Sequence, residues 1–95
     1  MPRAELSEHT TLPAAPKLAP LFRMQYETAQ EAWVLLYPEG MVQLNQSAAE
    51  ILLHCDGQHT VAQIVQDIQA KFSTQGIEPE IVNLLQEAQR RAWIV

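Results

Sequence analysis

Cysteine, glycine, basic charge and long apolar runs are all scarce in this chain of 95 residues. Cys55 is its single cysteine. That excludes an intrachain disulfide and the paired C-x-x-C spacing of a metal site, and it is compatible with a reducing cytoplasm. Gly40, Gly57 and Gly76 each stand alone. No glycine-rich phosphate loop of the Walker or Rossmann kind can be built from them. No apolar stretch approaches membrane-spanning length, and the opening MPRAELSEHTTLPAAP has no hydrophobic region of a secretory signal. The shortage of bases is local. Between residues 45 and 89 the acids are Glu50, Asp56, Asp67, Glu78, Glu80 and Glu87, against Lys71 as the one strong base, in a chain of net charge −5. A nucleic-acid binder needs cations to neutralise phosphates, and this half would repel them.

What remains is a globular composition long enough for one domain with a modest core. Residues 1–19, with Pro2, Pro13 and Pro16 and closed by Pro20, show no periodicity and read as a flexible N-terminal tail. Residues 20–95 read as the folded domain. Phe22, Met24 and Tyr26 alternate with Arg23, Gln25 and Glu27, the period of a half-buried strand. Residues 32–37 form a continuous apolar run that suits a central strand covered on both faces. Pro38, Glu39 and Gly40 make a turn, since proline presets φ and glycine relieves a positive φ. Met41, Val42, Gln43 and Leu44 return as a short strand at the sheet edge.

Three helices follow. Asn45 or Ser47 caps the first, with Ser47 and Glu50 at capping-box spacing, an apolar stripe of Ala48, Ile51, Leu52 and Cys55, and Gly57 as its stop. Thr60 and Gln63 open the second, whose core face is Val61, Ile64, Val65, Ile68 and Phe72. Pro79 opens the third, with Ile77 and Val82 as a staple. Ile81, Leu84, Leu85, Ala88 and Ala92 line its buried face. Arg90 and Arg91 suit the negative end of its dipole, and residues 93–95 are expected to pack back on the core. The fold class is α+β: three short antiparallel strands followed by a three-helix bundle, winged-helix-like.

No catalytic constellation assembles from these residues. His54 and Cys55 are helix neighbours that point apart, and the metal-ligand spacings are missing, so no metal or cofactor is expected. Ser47 belongs to a helix start, and no nucleophile elbow exists. The strand at 41–44 carries no lysine or proline to block pairing, so it can accept another strand. Beside it, Val82 widens the apolar face of the third helix. Edge and helix face together bound a groove that can hold a peptide. A winged-helix DNA-binding regulator is the second reading, opposed by the acidic helical half.

The run LLYPEGMVQLNQSAAEILLHCDG, the following TVAQIVQDIQAKF and the ending RRAWIV resemble the PqqD family of pyrroloquinoline quinone biosynthesis. The resemblance covers residues 18–95. It departs at Ala92, where the family tends to have glycine. The resemblance implies a cytoplasmic peptide chaperone, not an enzyme. Such a protein is a recognition element that captures the precursor peptide PqqA as an added strand and presents it to the radical S-adenosylmethionine enzyme PqqE, which carries the chemistry and its iron–sulfur cysteines. The strand and groove residues Met41, Val42, Gln43, Leu44, Ile81, Leu84, Leu85 and Ala88 then form the expected peptide site. Arg90 and Arg91 are expected to meet an acidic partner or to complement the dipole. A homodimer by strand exchange stays open.

Overall fold

The computed structural model describes residues 12–95. The chain runs β1 (Arg23–Glu27), β2 (Ala32–Tyr37), β3 (Gly40–Gln43), α1 (Gln46–Leu53), α2 (Val61–Lys71) and α3 (Glu78–Arg90). The sheet is antiparallel in the order β1-β2-β3, with Met24 opposite Leu35 and Leu35 opposite Val42. That register puts Phe22, Met24, Trp33, Leu35, Val42 and Leu44 on one face, and all six join the core cluster built with the helices. Val34 and Leu35 are both 0% exposed. Neighbours in a strand point to opposite faces, so β2 is covered on both sides at this point. Tyr26 departs from the expected alternation. It stays exposed and sets its ring edge-on to Trp33, 5.5 Å between centroids.

The helix ends differ from the expected caps in two places. Asn45 caps α1, its side chain accepting from the Ala48 N–H at 2.8 Å. Ser47 lies inside the helix, and Glu50 leaves it to pair with Lys71 of α2 at 2.8 Å. Gly57 is not the residue that stops α1, which ends with His54 as its C-cap. It serves a later turn at φ +79°, where an added Cβ would press on Lys17 at 3.4 Å. The capping box of Thr60 and Gln63 is present in full.

Helix α3 closes in a Schellman motif. The Trp93 N–H reaches the Ala88 carbonyl at 2.8 Å, and the Ala92 N–H reaches Gln89 at 3.0 Å. Ala92 sits at φ +62°, a conformation that favours glycine. The turn aims Trp93 and Ile94 into the core, as expected, while Val95 stays 52% exposed.

A clasp crosses this end of the molecule. Lys17 and Val95 exchange both backbone hydrogen bonds, at 3.1 and 2.8 Å, and the Ala19 N–H donates to the Trp93 carbonyl at 2.8 Å. Leu18 N–H reaches Cys55 O at 3.3 Å and Gly57 N–H reaches Pro16 O at 3.0 Å. The folded part therefore begins before residue 20, inside the segment expected to be tail. The rest of that tail, residues 1–11, lies outside the described residues.

Candidate functional site

Strand β3 is the last strand of the sheet, so one of its edges has no partner strand among the described residues. The Leu44 N–H donates to the Trp33 carbonyl at 2.9 Å. In an antiparallel pair such orientation alternates along the strand. Gly40, Val42 and Leu44 therefore turn their backbone groups toward β2, and Met41 and Gln43 turn theirs outward. The strand reads GMVQ and has neither lysine nor proline. Met41 is 51% exposed, and Gln43 is exposed as well.

The helical side of the expected groove divides by burial. Leu44, Ile81, Leu85 and Ala88 are buried, Ile81 and Leu85 to 1% or less. They are core side chains and offer almost no surface of their own. The stripe that faces the core and the stripe that faces a groove are neighbours on one helix, and apolar spacing alone does not separate them. Val42 on β3 and Leu84 on α3 keep part of their surface while packing on the core. Among the expected apolar residues these two, with Met41, can touch a ligand.

Arg90 and Arg91 both already have a carboxylate. Arg90 Nη2 and Arg91 Nε donate to opposite oxygens of Glu87, each at 2.6 Å. Hydrogen bonding from Arg90 and then Arg91 holds the Glu87 carboxyl below its ordinary range. The Arg91 guanidinium also lies 5.6 Å from the Trp93 ring centroid. The cluster keeps one net positive charge at the end of α3.

Burial, with a smaller contribution from Asp56, pushes the Cys55 thiol up to about 12, and its Sγ–H donates to the Ile51 carbonyl at 3.4 Å. Such a thiol is a core side chain, because the thiolate is the reactive form. One polar cluster escaped the sequence reasoning. His59 Nδ1–H donates to Asp56 at 3.0 Å, and Nε2 lies 3.5 Å from Asp67. The hydrogen bond to Asp56 raises the His59 pKa. Asp56 lies on the turn and Asp67 on α2, so no local spacing announces the arrangement. His54 lies 5.8 Å from His59 by ring centroids, its Nδ1–H donating to the Glu50 carbonyl at 2.8 Å.

The model of the family described as coenzyme PQQ synthesis protein D (PqqD) matches residues 32–94. A PqqA binding protein of Methylococcus capsulatus is 49% identical over 78 residues, 82% of this chain and 84% of the relative. Another, of Azotobacter vinelandii, is 48% identical over 86 residues, 90% of this chain and 94% of the relative. The solution structure of the PqqD truncation of PqqCD from Methylobacterium extorquens is described as a functional, stand-alone recognition element for ribosomally synthesised and modified peptides. It superposes with a TM-score of 0.74 at 26% identity, over 93% of this chain and 98% of that one. The crystal structure of PqqD from Xanthomonas campestris gives a TM-score of 0.52 at 32% identity, over 78% and 84%.

Proposed function

The chain belongs to the PqqD family, and from that membership we propose that it is the peptide chaperone of pyrroloquinoline quinone biosynthesis, holding the precursor PqqA and presenting it to the radical S-adenosylmethionine enzyme PqqE. In this reading the chain carries out no chemistry itself and works in the cytoplasm. The observation that carries the binding role is the open edge of β3. Two residues there turn an N–H and a C=O outward, at Met41 and Gln43. An added strand gains main-chain hydrogen bonds from both, and those bonds do not depend on its sequence.

Sequence preference then comes from the pleat. A peptide residue opposite Val42 points to the helical side and meets Val42. Residues opposite Met41 and Gln43 point to the outer face of the sheet. The peptide that fits has an apolar residue at the first of these positions and tolerates variety at the others. Leu44, Ile81, Leu85 and Ala88 hold the floor in place. Arg90 and Arg91 attract an acidic stretch of peptide or enzyme through their surplus charge.

Titration of isotope-labelled protein with synthetic PqqA tests the assignment. Amide shifts should concentrate on Gly40–Gln43 and on α3. Shifts confined to α1 and α2 overturn it.

A further inference from the structure

A second concave surface lies where α1, the end of α2 and the start of α3 meet. Its volume is about 450 Å³, and its lining includes Glu50, Ile51, Phe72, Ile77, Glu80 and Ile81. The floor is apolar because Ile51 and Ile81 are core residues whose edges reach it. One wall is Phe72, which remains 41% exposed. An aromatic ring left half in water above an apolar floor loses much of the stabilisation that burial would give it.

Local structure fixes the backbone that carries this ring. Phe72 is the C-cap of α2, and the turn after it closes with the Thr74 N–H on the Gln69 carbonyl at 2.9 Å, with Ser73 at φ +51°. Gln69 also accepts the Ile77 N–H through its side chain at 3.3 Å, tying the loop to the start of α3. The cleft therefore exists before any ligand arrives.

Its uncompensated charge is negative. Glu50 and Glu80 line it, and the Lys71 ammonium, 6.0 Å from the Phe72 ring centroid, neutralises Glu50 alone. Glu80 has no ion pair among the described residues.

We propose that this cleft docks a segment of a partner protein that inserts one large apolar side chain over Ile51, Ile81 and Phe72 and places Lys or Arg beside Glu80. Its lining has no residue of β3 and shares only the buried Ile81 with the peptide site, so a partner and a peptide can be held together.

The test uses two capped tripeptides, leucine between two lysines and leucine between two glutamates, titrated into the labelled full chain. The lysine form should shift the amides of Ile51, Phe72 and Ile77, none of them on β3 or α3, saturably and leave Met41 and Gln43 in place. The glutamate form should bind weakly or not at all, because like charges repel. Phe72→Ala should weaken the lysine form by about tenfold through lost apolar contact. Glu80→Gln, on the surface and harmless to folding, should weaken it by about two- to fivefold, the worth of one exposed ion pair. Neither substitution should alter PqqA binding at β3, which separates this proposal from the peptide-binding one. Equal binding of the two tripeptides, shifts elsewhere, or an unaltered affinity in Phe72→Ala overturns it.

Discussion

Strand β3, at one end of the sheet order β1-β2-β3, and the C-terminal segment outside that sheet both offer backbone groups for pairing, and the chain treats them in opposite ways. The C-terminal segment is closed by Lys17 and Ala19, which bond to Val95 and Trp93. Strand β3 receives nothing comparable from the described residues. Both are short, and neither carries a proline. The difference shows that this fold can supply its own covering strand and leaves β3 without one. A self-paired edge locks the Lys17–Ala19 segment to the last residues of the chain. An edge left open offers main-chain groups to another chain.

The comparison can be broken outright from beneath. Leu85 is 0% exposed, and Leu85→Asp places an unpaired charge there at a cost of several kcal/mol, against a total stability of roughly 5–15 kcal/mol. The variant should lose its cooperative thermal transition, taking both edges with it. Ile81→Ala, although nearer the helix start, removes an equally buried side chain and should cost about 2–5 kcal/mol as a core cavity. Leu84→Ala is the better probe of the groove, because Leu84 keeps some surface.

Proline separates the two sides of one strand. Val42→Pro removes a donor that faces β2 and should destabilise by about 3 kcal/mol or more. Gln43→Pro removes a donor that faces outward, which edge strands tolerate. It should melt within a few degrees of the parent, yet lose precursor affinity by about tenfold or more, as one interfacial hydrogen bond and the strand alignment are lost. Calorimetry on both variants decides the matter. If Gln43→Pro binds PqqA as tightly as the parent, no strand is added at this edge.

A gain is expected at the closed edge. Ala92 holds a left-handed backbone at φ +62°. Ala92→Gly should relieve that strain and stabilise by about 1 kcal/mol. The midpoint of thermal unfolding should rise by about 4–8 °C for a domain of this size, with peptide binding untouched.

The smallest effect is expected where the charges already have partners. Replacing Arg90 and Arg91 together by Gln strips Glu87 of both. The folded state lowers the Glu87 pKa, so its stabilising contribution is present above the unfolded value and is lost as pH falls through the folded one. The double variant should melt slightly below the parent at neutral pH and converge with it in acid. If the surplus charge also draws a partner, low-salt binding weakens and the deficit shrinks as salt rises. Unchanged binding at low salt removes both arginines from the site.

Much of this was legible in the residues. The apolar run at 32–37 is β2 to the residue, and the 3.6-residue spacing of Ile64, Val65 and Ile68 marks the buried face of α2. These patterns are local, and periodicity reports local geometry directly. The outward edge of β3 was legible too, because an edge strand without lysine or proline is a statement about sequence. The clasp through Pro16–Ala19 was not. Its hydrogen bonds join residues nearly 80 positions apart by number, between Lys17 and Val95, and backbone donors are the same in every residue but proline. Ile81 was placed on the buried face, but that it lies too deep to offer surface to a groove was hidden, since apolar spacing marks a face without saying how deep it lies.

By itself, then, the sequence determined the order and type of the elements, the capping of α2, the inertness expected of a lone cysteine on an apolar stripe, and the family. Each of those is written in neighbouring residues. The tertiary structure decided which apolar residues are floor and which are surface, which edge the chain covers itself, and where Glu87, His59 and Phe72 find or lack partners. Those outcomes depend on segments distant in sequence meeting in space, where every polar group must find a partner or stay in water.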